Sequence, residues 1–307
     1  MKKWLLFFLI AFMLPTLLFA QAVPDIIWTQ TFGGPENDGC TSLETIVATA
    51  DGGYVIGGWT RSFGTEYEDA YLIKADESGN LVWSCTEGGN FYDRYNAVDE
   101  TSDGGLILAG FTTSYGSGGE DFFLVHTDNL GSTLWERTYG GSGNEQCYTV
   151  MQTLDGGYIL GGSTTSYGAG GYDMYLIKTD AAGDVVWTQT YGGTSTDVCY
   201  SLDQTIDGGY ILGGYTTSFG AGWTDMYVLK IDALGAVEWE RTYGGVSSEH
   251  CYTVKEVWMD YGYILGGETM SYGVGINDFY VIRTDALGDT AWARTFGGPF
   301  NDICRSV

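Results

Sequence analysis

The sequence predicts an all-β protein built from a tandem repeat, and three observations carry this prediction. Six tryptophans recur at spacings of 55, 52, 52, 52 and 53 residues, namely Trp28, Trp83, Trp135, Trp187, Trp239 and Trp292. The string DGGYILGG occurs twice, at Asp155–Gly162 and Asp207–Gly214. Glycines interrupt every window in which apolar residues would otherwise recur with a helical period. A period near 50 residues is typical of propellers and other repeat arrays.

One repeat unit, residues 199–245, divides into four short strands separated by turn signals. The predicted strands are Cys199–Thr205, Tyr210–Thr216, Met226–Ile231 and Val237–Tyr243. Asp207-Gly208-Gly209 is a hairpin signal between the first two strands, and Asp232-Ala233-Leu234-Gly235 turns the chain into the fourth. Four antiparallel strands in a unit of this length predict one blade of a β-propeller.

The repeat predicts five complete blades, at approximately residues 38–88, 92–140, 144–192, 196–244 and 248–297. Residues 26–32 match only the fourth, outer strand of a unit, and residues 301–307 match only the first, inner strand. We therefore expect an incomplete closing blade and, with it, a fragment of a longer protein. A further domain beyond Val307 is part of this expectation.

The first 20 residues have the pattern of a secretory signal peptide. Lys2 and Lys3 form a basic head, residues 4–19 are almost continuously apolar, and Ala20 precedes the expected cut. The apolar run is short for a spanning helix, which needs about 20 residues. We expect a secreted or cell-surface protein with no membrane span after cleavage.

The chain is strongly acidic, which limits its partners. Its net charge is −26, and removal of Lys2 and Lys3 with the signal peptide makes it −28. Such a surface repels the phosphates of nucleic acids and anionic membranes, so neither is an expected partner. Calcium or a cationic partner is compatible with this charge.

Several motifs at fixed positions in each unit resemble a known family of repeats. In the third unit they are Tyr139-Gly140-Gly141, Cys147, Asp155-Gly156-Gly157, Thr164-Thr165-Ser166, Asp173-Met174-Tyr175, Lys178-Thr179-Asp180 and Trp187. This pattern resembles the secreted bacterial β-propeller repeat abbreviated SBBP, and more distantly Kelch and quinoprotein blades. The resemblance covers nearly all of residues 26–307. It implies the fold and little about activity, because the shared residues are those of turns and packing.

Five cysteines share one repeat position, 12 residues after five of the six tryptophans: Cys40, Cys147, Cys199, Cys251 and Cys304. After Trp83 this position is taken by Tyr95. Equivalent positions in adjacent blades should lie further apart than the roughly 4.4–6.8 Å between Cα atoms that a disulfide requires. We therefore expect small buried apolar residues there. An axial ring of thiols that binds a soft metal is the alternative. Cys85 lies outside this position, and we expect it to be an exposed thiol on an outer strand.

Two aspartates recur in every unit, one before the third strand and one at the turn that follows it. The first set is Asp69, Asp121, Asp173, Asp225 and Asp278, and the second is Asp76, Asp128, Asp180, Asp232 and Asp285. Side-chain to backbone hydrogen bonds that fix the turns explain one aspartate per turn. The alternative is that these carboxylates bind a calcium ion. No other cofactor is expected.

Residues that depart from the repeat are the candidates for a binding site, since not every blade needs them. Directly after the double glycine of the second strand stand Trp59, Phe111, Ser163, Tyr215 and Glu268. A position that accepts serine and glutamate is expected to be solvent-accessible. The loop before the third strand adds Tyr67, Tyr172 and Trp223. We predict that Trp59, Phe111, Tyr215, Trp223, Tyr67 and Tyr172 bind a ligand, with ordinary packing between loops as the alternative.

No catalytic residue is predicted. His126 takes a place that is filled by lysine or arginine in the other units, and His250 takes a place filled by variable residues. The spacings of common zinc and phosphate sites are absent from the sequence. The sequence favours an exported, non-enzymatic propeller that binds a protein or a carbohydrate. A polysaccharide-active or quinone-dependent enzyme on the same scaffold, and a passive spacer of a larger surface protein, are the alternatives.

Overall fold

The structure is a computed structural model that describes residues 27–40, 44–259 and 261–306. The predicted signal peptide, residues 1–20, lies outside this described part, as do Ile26 and Val307 at the ends of the predicted partial strands. Every regular element within the described ranges is a β-strand. None of the described residues forms a helix long and apolar enough to span a membrane.

The strands form five antiparallel sheets that follow one another along the chain. Sheet 1 contains β1 (Asp38–Gly39), β2 (Ile46–Ala48), β3 (Tyr54–Thr60), β4 (Asp69–Ala75) and β5 (Leu81–Glu87). Sheet 2 contains β6 (Asp93–Glu100), β7 (Leu106–Thr112), β8 (Asp121–Thr127) and β9 (Thr133–Tyr139). Sheet 3 contains β10 (Glu145–Gln152), β11 (Tyr158–Thr164), β12 (Asp173–Thr179) and β13 (Val185–Tyr191). Sheet 4 contains β14 (Asp197–Gln204), β15 (Tyr210–Thr216), β16 (Asp225–Ile231) and β17 (Val237–Tyr243). Sheet 5 contains β18 (Glu249–Val257), β19 (Gly262–Thr269), β20 (Asp278–Thr284) and β21 (Thr290–Phe296).

Each sheet runs from an inner first strand to an outer fourth strand, as predicted for propeller blades. The two short strands β1 and β2 both pair with β3 and together take the place of the first strand of sheet 1. In the other sheets the first strand carries a β-bulge, for example between Cys147 and Thr149. The bulge raises the local twist of the strand at the centre of the molecule. The predicted all-β fold with four-stranded antiparallel blades is confirmed.

The hydrophobic core consists of layers between consecutive sheets. Ile159, Met174 and Leu176 of sheet 3, for example, pack against Leu212 and Leu229 of sheet 4, and all five are buried. The double glycine makes this close approach possible. A Cβ atom at Gly161 would lie 3.0 Å from Cδ2 of Leu202 and 3.2 Å from Sγ of Cys199 in the next sheet. Glycine within a strand is therefore required here by the neighbouring sheet.

The recurring aspartates fix the turns, as the sequence predicted. Oδ1 of Asp180 accepts hydrogen bonds from the backbone N–H groups of Ala182 and Asp184, both at 2.9 Å. The same pair of bonds recurs at the other four turns, made by Asp76, Asp128, Asp232 and Asp285. In the first set of aspartates, which precede the third strand, Oδ2 of Asp173 accepts from the N–H groups of Ala169 and Gly170. These carboxylates thus stabilise loop backbone in every blade.

The recurring tryptophans join neighbouring sheets at their outer edges. Nε1 of Trp187 donates a hydrogen bond of 3.2 Å to the carbonyl of Ala233 in the next blade, and Trp239 does the same to Ala286. The indole ring of Trp135 covers the turn of the next blade at Gly183. The tryptophans therefore fill the space between sheets.

Two sequence expectations about strands and one about a cysteine differ from the structure. Residues 27–32 and 301–306 form no strand, although an outer and an inner strand were predicted there. Within the described ranges, no middle strands lie beside them to complete a ladder of hydrogen bonds. Cys85 is half-buried, not exposed, since its thiol donates to the carbonyl of Gly131 at 3.5 Å in the turn of the next blade.

The cysteines of the repeated position divide into two groups. Cys147, Cys199 and Cys251 are buried, as expected for small apolar residues. Cys40 is exposed and Cys304 is half-buried, because both lie where the series of sheets begins and ends. The expectation of burial is therefore wrong for these two positions.

Candidate functional site

The inner strands converge on a cavity of about 450 Å³ at one end of the molecule. The cavity is lined by aromatic, arginine and amide side chains from several blades and by one residue after the last strand. The lining residues are Tyr92, Arg94, Asn96, Phe111, Thr113, Glu120, Gln146, Tyr148, Tyr200, Tyr252 and Arg305. We call this the mouth cavity. Concave sites that combine apolar faces with a few fixed polar groups are typical of ligand binding.

Three tyrosines at one repeat position form a continuous aromatic row in the mouth cavity. The ring centroids of Tyr148 and Tyr200 are 5.2 Å apart, and those of Tyr200 and Tyr252 are 5.6 Å apart. Each tyrosine directly follows a buried cysteine on its inner strand, so the β-bulge described above lies beside it. Burial raises the pKa of all three hydroxyl groups, which therefore stay neutral at physiological pH. They offer flat apolar faces and polar tips.

An arginine network borders the tyrosine row on the side of sheet 2. The Arg94 guanidinium lies 4.9 Å from the ring centroid of Trp59 and 5.8 Å from that of Phe111. Glu68, which is buried, forms ion pairs with both Arg94 and Arg61. The buried carboxylate holds Arg94 in place, because an unpaired charge at this depth would be costly.

A hydrogen-bonded group of three side chains borders the row on the side of sheet 5. Glu268 accepts a hydrogen bond of 2.6 Å from the hydroxyl of Tyr252 and lies 3.0 Å from Nδ1 of His250. Burial would raise the pKa of Glu268, but the bonds from His250 and Tyr252 outweigh it, so the pKa lies below its ordinary value. Glu268 is therefore an ionised acceptor that fixes the Tyr252 ring.

Arg305 reaches the mouth cavity from the segment that follows sheet 5. Its guanidinium lies 4.8 Å from the ring centroid of Tyr252. The charged groups of this region are three arginines, Arg61, Arg94 and Arg305, and three glutamates, Glu68, Glu120 and Glu268. In a chain of net charge −26, the cavity is thus a locally balanced region that would accept a neutral ligand.

The position after the double glycine borders the mouth cavity, and its side chains are less accessible to solvent than predicted. Phe111, Ser163 and Glu268 are buried, whereas Trp59 and Tyr215 are half-buried. Each residue stands opposite the inner strand, for example Phe111 opposite Arg94, so the inner strand and the next blade cover it. The prediction failed because glutamate and serine there are satisfied by hydrogen bonds within the protein and need no water.

The structure brings four of the six predicted binding residues toward the mouth cavity. Phe111 lines it, and Trp59 lies beneath Arg94. Tyr215 packs on Tyr200, with ring centroids 5.7 Å apart, and Tyr67 packs on the lining residue Tyr92 at 5.3 Å.

The other two predicted residues, Tyr172 and Trp223, do not line the mouth cavity. The side chain of Trp223 is 81% exposed on a loop. This loop lies beside the connection between two blades, since the N–H of Trp223 donates to the carbonyl of Ser247.

Sequence reasoning missed the tyrosine row, Arg94 and Arg305. The tyrosines are visible in the sequence as the repeated pairs Cys147-Tyr148, Cys199-Tyr200 and Cys251-Tyr252. A search for departures from the repeat passes over them because they belong to the repeat. Their replacement by Asn96 in the second unit is the signal that could have drawn attention to this position.

A second cavity, of about 320 Å³, lies further along the inner strands and shares Tyr252 and Arg305 with the mouth. Glu44 lines it, and the hydroxyl of Ser201 donates to its carboxylate at 3.3 Å. Burial raises the pKa of Glu44 to about 7, even though Thr149, Lys255 and Ser201 act in the opposite direction. The two cavities therefore adjoin each other at Tyr252 and Arg305.

The described residues contain no group of three or more histidine, cysteine or acidic side chains arranged to hold a metal ion. The six cysteines are unpaired. The thiols of Cys147, Cys199 and Cys251 each donate to a carbonyl two residues further along their own strand. Their sulfur atoms thus have local hydrogen-bond partners within the core.

Comparison with known proteins identifies the fold. No family model matches the chain, and no curated protein matches it. The chain is similar to the WD40 domain of Pan2 from Neurospora crassa, with a TM-score of 0.51 and 13% identity over 86% of this chain and 82% of that chain. It also matches a member of the DUF4221 family from Bacteroides vulgatus, with a TM-score of 0.45 and 12% identity over 87% of this chain and 84% of that chain. The NanB sialidase of Streptococcus pneumoniae matches with a TM-score of 0.45 and 12% identity, over 65% of this chain and 32% of that chain. The likeness to the Pan2 domain supports the β-propeller fold and says nothing about activity.

Proposed function

We propose that this protein is an exported, non-enzymatic β-propeller of the SBBP-like class that binds a carbohydrate or a protein segment through the mouth cavity. The observation that carries the proposal is the row formed by Tyr148, Tyr200 and Tyr252, flanked by Arg94 and Arg305. Sugar rings and peptide planes both stack on such aromatic faces while their polar edges accept hydrogen bonds.

The arrangement of polar groups supports a binding role for this row. Gln146 lies between the tyrosines and Glu120, and its amide donates to that carboxylate at 2.6 Å. Glu268 fixes Tyr252 in the same way on the opposite side. Side chains held by such bonds lose little conformational freedom when a ligand arrives, which favours affinity.

The experiment is a binding screen with matched variants. The purified chain is applied to a carbohydrate array and used in pull-downs of secreted and surface proteins. Tyr200→Ala should reduce binding of any identified ligand at least about tenfold, as expected for a central aromatic contact. Trp223→Ala is the control, since this exposed side chain lies outside the cavity, and it should bind like the wild type. Absence of saturable binding, or loss of binding in the control alone, would refute the proposal.

Export and surface location are a separate part of the proposal, supported by residues 1–20 of the sequence. The chain with and without these residues is expressed in a bacterial host with a secretory pathway. The longer chain should be recovered outside the cytoplasm and the shorter one inside it. Equal distribution of both chains would contradict the proposal.

A polysaccharide-active enzyme is the second candidate, favoured by one observation. Glu268 with His250 and Tyr252 is a group of ionisable side chains in contact at the border of the cavity, as general acid–base catalysis requires. Turnover of a bound carbohydrate that is lost in Glu268→Gln while binding persists would establish this candidate. Binding without turnover would leave the non-enzymatic function.

A further inference from the structure

The five sheets are not equally covered by their neighbours. Sheets 2, 3 and 4 each lie between two sheets, and every residue of β8, β12 and β16 is buried. In β20 of sheet 5 buried and half-buried residues alternate along the strand. Because side chains of a strand point to opposite faces in turn, one face of sheet 5 lacks full cover.

The half-covered face of sheet 5 is apolar and belongs to the interface that recurs in the chain. Phe279 and Val281 are half-buried on this face. Their equivalents in sheet 4 are Met226 and Val228, which are fully buried against sheet 5. Phe279 and Val281 thus form one half of the recurrent interface, and no sheet among the described residues covers this half fully.

Sheet 1 carries the opposite half of the recurrent interface on a face that is also only partly covered. A cavity of about 360 Å³ lies on it, and Ile46 at its edge is 61% exposed. Of the residues that line it, Tyr54 and Ile56 of β3 are half-buried, whereas Tyr71 and Ile73 of β4 are buried. Four equivalent residues in sheet 4 are fully covered by sheet 3: Tyr210, Leu212, Tyr227 and Leu229. We call the space between these faces of sheets 5 and 1 the opening.

The segment before sheet 1 occupies the place of an outer strand in the opening. Nε1 of Trp28 donates to the carbonyl of Glu77 at 3.1 Å in the turn after β4. This is the bond that Trp239 makes to Ala286 in the next blade, at 3.2 Å. Trp28 therefore lies where the fourth strand of a preceding blade would place its tryptophan.

The segment after sheet 5 occupies the place of an inner strand. The N–H of Asp302 donates to the carbonyl of Asn277 at 2.8 Å, and Oδ2 of Asp302 accepts from the N–H of Gly298 at 2.7 Å. Glu249, at the start of sheet 5, makes the same two bonds to sheet 4, accepting from Gly245 at 2.8 Å. The outer and inner positions of one further blade are thus held, and its second and third strands are absent from the described residues.

We propose that the opening binds a β-hairpin with the pattern of the second and third strands of this repeat, and that the hairpin completes a sixth blade. The backbone groups of residues 27–32 and 301–306, which form no ladder, would pair with the two edges of the hairpin. Addition of strands to unpaired backbone is a common mode of peptide recognition.

The packing that recurs between neighbouring sheets indicates which residue types the hairpin must contain. Its strands carry apolar residues toward sheet 1 and a double glycine where the inner strand of the next blade comes close. At Gly213 a Cβ atom would lie 2.9 Å from Sγ of Cys251 and 3.2 Å from Cβ of Val254. The equivalent of Cys251 in sheet 1 is Cys40, which is exposed. The glycine of a bound hairpin would therefore cover the thiol of Cys40.

The experiment uses a synthetic peptide with the sequence of Asp155–Asp180, which is the corresponding hairpin of sheet 3. Labelling of Cys40 by a thiol reagent is followed in the purified chain with increasing peptide. Saturating peptide should slow the labelling about tenfold or more, as burial of an exposed group does. A peptide carrying Gly161→Val and Gly162→Val is the control. It should not protect Cys40 from labelling, since the valine side chains would clash sterically with the inner strand.

A pair of chain variants locates the binding. Val281→Asp places a charge on the half-covered face and should abolish protection, whereas Val274→Asp, on an exposed loop, should leave it unchanged. Phe279→Ser is a second variant of the same face, in case Val281→Asp does not fold. Lack of protection in the wild type, protection by the control peptide, or protection that survives at both variants of the face would overturn the proposal. Protection of Cys40 by self-association of the chain without peptide would also overturn it.

Discussion

The face of sheet 5 is less buried than the equivalent face of sheet 4. Substitutions of two equivalent valines on these faces should therefore destabilise the protein to different extents. Val228 and Val281 hold the same position in the third strand of sheets 4 and 5, and only Val228 is fully buried. Replacement by alanine removes two methyl groups, which costs about 1.6 kcal/mol by transfer alone. The cavity that remains in a closed layer raises the cost for Val228→Ala to about 2–3 kcal/mol.

Val281→Ala should cost about 1 kcal/mol or less, because water already reaches this side chain and no closed cavity forms. The free energy of unfolding is measured by urea titration with tryptophan fluorescence, on both variants and the wild type. An unchanged dependence on urea concentration shows that the folded state is comparably compact in all three. Equal losses of stability in the two variants would refute the reasoning and show that the face of sheet 5 is covered.

Two further predictions concern Glu44 and the thiols. The pKa of Glu44 is about 7, above its ordinary value of 4.5, so the contribution of Glu44 to stability is present below pH 4.5 and is lost as the pH rises toward 7 and above. The stability of Glu44→Gln relative to the wild type should therefore increase between pH 5 and pH 8, as measured by the midpoints of urea unfolding. A constant difference across this range would contradict the prediction. In the native chain without peptide, a thiol reagent should label Cys40 at once but Cys147 only after unfolding, because Cys147 is buried and burial raises the pKa of its thiol far above that of an exposed cysteine. Mass spectrometry after partial labelling identifies which cysteines have reacted. Early labelling of Cys147 would show that the core is open to the reagent.

The sequence was sufficient for the fold because the residues that set it act locally. The turn at Asp180 is closed by bonds from Ala182 and Asp184, two and four residues further on, and the double glycine marks each close approach of sheets. The predictions were wrong where the burial of a residue is determined by contact with a segment that is distant in the sequence. Cys85 is covered by the turn at Gly131, 46 residues away, and no local pattern reports that distance.

The candidate site could be predicted only in part, since it forms where inner strands from different blades converge. Phe111 and Tyr215 were found because they depart from the repeat. Tyr148 and Tyr200 were missed because their stacking depends on the angle between neighbouring blades, which a linear pattern does not contain. Arg305 reaches the cavity from beyond the last sheet, so its role follows from the path of the chain in space.

The indole bond from an outer strand to the turn of the following unit has an evolutionary consequence. Trp187 and Trp239 each donate to the carbonyl that follows the turn aspartate of the next unit, and Trp28 does the same. A duplicated stretch of gene encoding one period therefore arrives with a matching donor and acceptor, wherever in the period the copy begins. A lineage could gain or lose one unit in a single genetic event while the contacts between units stay the same. The space enclosed by the inner strands would widen or narrow with the number of units.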